Sequence, residues 1–147
     1  MVLGALSQAI PERSYAAPMG TVTNLSVGGE DPQKGYYVFY SFIGGGYGGN
    51  FRTDGLINGN PTLTLAQAQS LEIFEARFPV LFKCYAIRPD SGGAGRRRGG
   101  FGVILEFELR RGEASASLLG DRAHFTPFGV LGGHNAQAAL HTFRLPG

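Results

Sequence analysis

The residues best suited to chemistry are packed into one stretch, Asp90-Ser91-Gly92-Gly93-Ala94-Gly95, followed by Arg96-Arg97-Arg98 and Gly99-Gly100. Backbone amides of such a run can form a nest for an anion, and guanidinium groups can close over a phosphate or carboxylate. That assigns an anion site to Arg96, Arg97 and Arg98. No Gly-Lys-Ser or Gly-Lys-Thr follows, and the segment leads into a strand pattern, so it is not a P-loop. The competing role is structural. Asp90, Gly92, Gly93, Gly99 and Gly100 then shape a turn, and the arginines pair with acidic groups of a neighbouring subunit.

The other reactive side chains do not form a catalytic set. Cys84 is the only cysteine and sits in the apolar run 80–87 without an adjacent histidine or aspartate, the pattern of a buried, inert thiol. His124, His134 and His141 lie ten and seven residues apart in an irregular region, which does not match metal-ligand spacing. No catalytic residue and no metal ligand is assigned, and no Gly-x-Ser-x-Gly elbow is present. Asp121-Arg122 fits a local ion pair or a turn.

These residues need a scaffold, and the patterning makes it mainly β. Leu3, Leu6 and Ile10 share one helix face, and Pro11 ends that helix. Alternation over residues 21–27 predicts a strand, with Gly28-Gly29-Glu30-Asp31-Pro32 as the turn after it. Residues 36–43 are aromatic and β-branched with apolar side chains on both faces, so both faces should be covered, one by the chain's own core and the other by a second layer or partner. Thr64 as a cap and Gln67 three positions on predict one or two helical turns. Residues 71–75 and 78–87 fit strands interrupted near Pro79. Residues 101–110 alternate cleanly, residues 114–119 form a further strand, and the tail from Thr126 is irregular.

Composition fits one domain over residues 1–147. The chain is 43% hydrophobic and 16% charged, which excludes a disordered segment. Its low charge fits a surface partly hidden against partners. The net charge of +2 is local, with Arg96, Arg97, Arg98, Arg110 and Arg111 close together, and glycine stands where a nucleic-acid binder would place exposed aromatics. No stretch reaches the roughly twenty apolar residues of a membrane span. With a single cysteine and no basic leader at Met1, the expectation is a cytoplasmic protein without nucleic-acid or membrane partners.

Ala9-Ile10-Pro11-Glu12-Arg13, Ile43-Gly44-Gly45-Gly46-Tyr47-Gly48-Gly49 with Asp54-Gly55, the glycine–arginine run, Ser117-Leu118-Leu119-Gly120-Asp121-Arg122 and Pro127-Phe128-Gly129-Val130-Leu131-Gly132-Gly133 occur in a family-like order. Together they resemble the carboxyl-terminal part of the hydantoinase B / 5-oxoprolinase family. The resemblance runs from about Leu3 to Gly133. It implies a β-sheet barrel or sandwich-like domain beside glycine-rich, polyproline II-like extended segments. It also favours the structural turn at 90–100, because the family pattern places an arginine, here Arg98, before the Gly-Gly pair.

Two departures bear on function. Tyr40-Ser41-Phe42 stands where the family typically has Tyr-Glu-Thr, and Leu56-Ile57-Asn58-Gly59-Asn60-Pro61-Thr62 replaces a His-x-Thr-Asn-Thr-like motif. A carboxylate and a histidine suited to acid–base work are thereby lost. The resemblance therefore implies a small accessory subunit, of the acetophenone carboxylase type, in an ATP-dependent complex that joins a ketone and bicarbonate to give a β-keto acid. Larger hydantoinase A-like and hydantoinase B-like partners would hold ATP and a divalent metal, with no cofactor on this chain. A small subunit of an ATP-dependent hydantoinase or 5-oxoprolinase, and a free-standing anion-binding module, are the alternatives.

Overall fold

The computed structural model describes residues 2–59 and 69–145; the helical turns expected around Thr64 and Gln67 lie outside them. Helix α1 (Val2–Ala9) is followed by a 3-10 turn at Pro11–Arg13, then by β1 (Thr23–Asp31) and β2 (Gly35–Ile43). Helix α2 (Leu71–Arg77) precedes β3 (Val80–Ile87), β4 (Val103–Leu109) and β5 (Glu113–Leu119). All pairing is antiparallel, in two sheets ordered β2-β1-β5 and β3-β4. The domain is mainly β and sandwich-like, and the barrel is not closed.

The core is an aromatic layer between the sheets. Leu25 and Val27 of β1 and Tyr37 and Phe39 of β2 face Phe74, Phe78, Val80, Phe82 and Phe107. Phe39 is at its centre, 4% exposed, with ring centroids 5.3 Å from Phe74 and 5.0 Å from Phe78. Such offset and edge-to-face contacts each add about 0.5–1.5 kcal/mol to area burial. The alternate residues of β2 point outward, with Tyr36 80% and Phe42 41% exposed. The strand's two apolar faces are thus unequal: this chain covers one of them.

Three local expectations are corrected. Residues 71–75, read as a strand, open α2, because Leu71, Phe74 and Phe78 recur at helical spacing. Phe74 is buried, and Phe78 N–H closes on the Phe74 carbonyl at 2.8 Å. The predicted turn at residues 28–32 is instead the end of β1. Gly28 and Gly29 pair with Val38 and Tyr37 on one side and with Ser115 and Ala114 on the other. Gly29 has no room for a side chain, since a Cβ there would lie 2.1 Å from the Glu113 carbonyl oxygen. Cys84, expected to be buried, is half-exposed. A bulge between Phe82 and Cys84 shifts the phase of β3, so Cys84 opposes Glu106 rather than facing the core.

The true β1–β2 turn is organised by Asp31, 1% exposed. Arg111 donates from Nε and Nη2 to its two carboxylate oxygens at 2.9 and 2.8 Å, and Gln33 N–H donates to Oδ1 at 2.9 Å. The Arg111 guanidinium, opposed in part by burial, holds the Asp31 carboxyl below its ordinary value of 3.8. A depressed carboxylate contributes stability that is complete above the ordinary value and is lost as pH falls through the depressed one. Thermal melts are therefore expected to show stability dropping below about pH 4, and Asp31→Asn should flatten that limb while lowering stability at neutral pH. An unchanged acid limb in Asp31→Asn would remove Asp31 as its source.

Beside the sheets, extended segments around residues 15–19, 44–50, 54–59, 91–102 and 127–139 lie outside either sheet and bond to one another. Gly45 and Gly59 exchange N–H···O bonds of 3.1 and 2.7 Å, Tyr47 N–H donates to Leu56, Gly100 N–H to Tyr47, and His134 N–H to Ala94. Glycine is required here for close approach. A Cβ on Gly100 would sit 1.8 Å from the Leu56 carbonyl oxygen, and one on Gly46 2.0 Å from the Gly100 carbonyl oxygen. The extended glycine-rich bundle inferred from the resemblance is present.

Candidate functional site

The glycine–arginine segment enters this bundle directly from β3. Ser91 anchors it: its buried hydroxyl donates to the Arg88 carbonyl at 2.8 Å and accepts Gly102 N–H at 2.9 Å, so the segment closes on itself at both ends. Asp90 takes the left-handed conformation, φ +54°, and its carbonyl accepts Gln137 Nε2. Gly92, Gly93, Gly99 and Gly100 hold no positive φ; crowding constrains them. A Cβ on Gly92 would meet the Gly99 carbonyl oxygen at 2.3 Å, and one on Gly93 the His134 carbonyl oxygen at 2.2 Å. Gly99 is looser, at 3.1 Å from Gly93 N.

The three arginines do not converge. Arg98 lies over the Phe101 ring at 4.3 Å, and its backbone N–H donates to Asp54 Oδ1 while its carbonyl accepts Gly55 N–H. It is built into the bundle. Arg96 and Arg97 are exposed and make no ion pair among the described residues. Arg88, not singled out from the sequence, holds the tail: Nη1 donates to the Ala138 carbonyl and Nη2 to Gln137 Oε1, both at 2.7 Å. Asp121 and Arg122 form a turn rather than an ion pair. Asp121 accepts the Thr21 hydroxyl, and Arg122 lies over Gly20. Among the described residues no three His, Cys, Asp or Glu side chains gather where a metal ion could sit. No described helix is long and apolar enough to cross a membrane.

What the elements enclose is an open cavity of about 1640 Å³ between the inner face of β1 and β5, the length of β4, and the glycine bundle with its tail. Its walls combine core-type side chains, Leu25, Val27, Leu118 and Phe107, with Arg88, Arg96, Arg97 and Glu106. A closed sandwich would fill this space. Here Ala114 and Ala116 of β5, which face inward beside Leu118, remain exposed, and the chain as a whole exposes 9782 Å². A compact monomer of this mass exposes about 7,200 Å². The excess, about 2,500 Å², exceeds the roughly 800 Å² that one partner contributes to a standard interface. The sequence signal for this incompleteness was the low charge together with a strand apolar on both sides; the cavity itself had no local signature.

The family description hydantoinase B/oxoprolinase matches residues 1–144. A 5-oxoprolinase of Dictyostelium discoideum is 33% identical over 86% of this chain, and the caprolactamase subunit beta of Pseudomonas jessenii is 33% identical over 89%. The nucleotide-free structure of an acetone carboxylase that carries out ATP-dependent acetone carboxylation superposes with a TM-score of 0.73, at 23% identity, over 91% of this chain. The chain spans 10%, 23% and 18% of those three proteins, respectively.

Proposed function

The chain belongs to the hydantoinase B/oxoprolinase family, and on that premise we propose that it is an accessory, scaffolding subunit of an ATP-dependent complex, with a ketone as the complex's substrate and carboxylation as its reaction. The observation that carries the reading is the unfinished core: an apolar cavity and an outward aromatic strand face that a self-sufficient domain of this size would bury. Larger hydantoinase A-like and hydantoinase B-like chains would cover them and would hold ATP and a divalent metal. The ketone is favoured by the shared fold with acetone carboxylase. Walling a reaction chamber against water, which protects a phosphorylated intermediate, is the contribution such a subunit makes.

The glycine–arginine segment then acts as a shaped wall. Asp90, Gly92, Gly93, Gly99 and Gly100 set its course, and Arg96 and Arg97 project from it towards acidic groups of a partner. Purified alone, the chain is expected neither to hydrolyse ATP nor to carboxylate a ketone. Co-expressed with the larger family chains, it should co-elute with them, and the complex should consume acetophenone and bicarbonate with ATP. Steady turnover by the isolated chain would overturn the scaffold role. A complex that instead opens hydantoins or 5-oxoproline would move it to the hydrolase branch.

A further inference from the structure

β4 and β5 are joined by only Arg110, Arg111 and Gly112, a hairpin-length connection, yet they do not pair. Arg111 is tied to Asp31 at the end of β1, and Gly112, at φ +76°, packs where a Cβ would meet the Glu30 carbonyl oxygen at 2.2 Å. Both contacts swing β5 away from β4 and onto β1. β4 is left with a free edge. Its outer hydrogen bonds fix which groups lie there: Arg110 N–H donates to the Pro79 carbonyl and the Gly102 carbonyl accepts Arg88 N–H, so even-numbered residues face β3. The N–H and C=O groups of Val103, Leu105, Phe107 and Leu109 therefore point into the seam, unpaired among the described residues. Every residue of β4 borders the cavity, as expected of a backbone edge rather than a strand face.

We propose that this seam receives an extended segment of a larger hydantoinase B-type polypeptide, which adds as a strand to β4 and completes the sandwich. The inference rests on the accessory reading above and specifies how the partner docks. The relatives are about four to nine times this chain's length, so polypeptide to fill the seam exists in the family. The occupant's chemistry follows from the walls. Its inward side chains are apolar, to meet Ala114, Ala116 and Leu118 of β5, and an outward one is basic, because among the described residues Glu106 has no cation beside it whereas Glu108 already has Lys83 at 3.2 Å. A second copy of this chain fits poorly, since antiparallel pairing of two β4 edges sets Glu106 and Glu108 of each against those of the other.

Hydrogen exchange on the chain alone and co-expressed with a hydantoinase B-type large chain tests this. In the complex, amides of Val103, Leu105, Phe107 and Leu109 should exchange at least about tenfold more slowly, while those of Ile104, Glu106 and Glu108 are slow in both states. Leu105→Pro removes only an outward N–H, which an edge strand tolerates, so it should stay folded alone and fail to join the partner. Glu106→Pro, which breaks the ladder to β3, should not fold. A complex that forms with the four outward amides still fast overturns strand addition and leaves the accessory role standing. Absence of any complex overturns both. Protection that appears in the chain alone overturns the partner: with rising concentration it marks a second copy, and at all concentrations the chain's own tail.

Discussion

Phe39→Asp is expected to abolish the folded state, whereas Phe42→Asp, three positions along the same strand, should fold and fail to assemble. Phe39 is the centre of the aromatic core, touching Phe74, Phe78 and Phe107. Loss of the ring costs about 3–5 kcal/mol, and an unpaired carboxylate in its place adds a desolvation penalty. Domain stability is about 5–15 kcal/mol in total. Phe42 points outward, stacked edge-to-face on Tyr40 at 4.9 Å, so its loss costs the isolated chain only about 1 kcal/mol. Far-UV circular dichroism separates the folding outcomes, and size-exclusion chromatography with the large partners reads assembly. If Phe42→Asp assembles normally, the outer face of β2 is not an interface.

The second large effect is expected at Gly100. Gly100→Val places a branched side chain into the Leu56 carbonyl, where backbone rather than a flexible side chain must yield. Overpacking of this kind costs about 3 kcal/mol or more, and because Gly100 N–H also bonds Tyr47, the strain spreads into two neighbouring segments. Gly93→Val should behave similarly against His134. Gly99→Ala, with more room, should be milder, and Arg97→Ala should stay within about 0.5 kcal/mol. Soluble yield and melting temperature rank the four. Equal behaviour across them would show that the bundle deforms freely.

Most strand positions along the chain were legible because alternation is a local signal, whereas the glycine bundle followed from the resemblance alone, since the same composition fits ordinary loops. Val103, Leu105 and Phe107 face inward as their spacing requires, and the glycine-rich runs resemble the family motif by motif. The stretch from Leu71 to Glu75 was misread because five apolar and acidic residues fit either period; the arbiter is Phe78, which lies beyond the window. At Gly28-Gly29 the glycines resemble a turn but serve the centre of a sheet, where the backbone of β5 comes too close for any side chain. Cys84 and Glu106 face each other because of a bulge that no residue type announces. The Asp31–Arg111 pair joins positions eighty residues apart, and nothing short of the fold brings them together. At Gly92, Gly93 and Gly100 what excludes a side chain is crowding by neighbouring backbone rather than positive φ, and that depends on segments distant in the sequence.

The middle strand of the larger sheet imposes a timetable on synthesis. β1 finds one neighbour at once, since β2 follows it across a short turn, but its other neighbour pairs Leu119 with Asn24 and emerges only after about eighty further residues. Until then the nascent hairpin displays one unpaired edge and aromatic side chains on two faces, and closing so long a loop is slow. Even after β5 arrives, one aromatic face stays bare. Such a species is sticky throughout its early life, so folding yield is expected to depend on how quickly β5 is delivered to β1 and on what covers the bare aromatic face meanwhile.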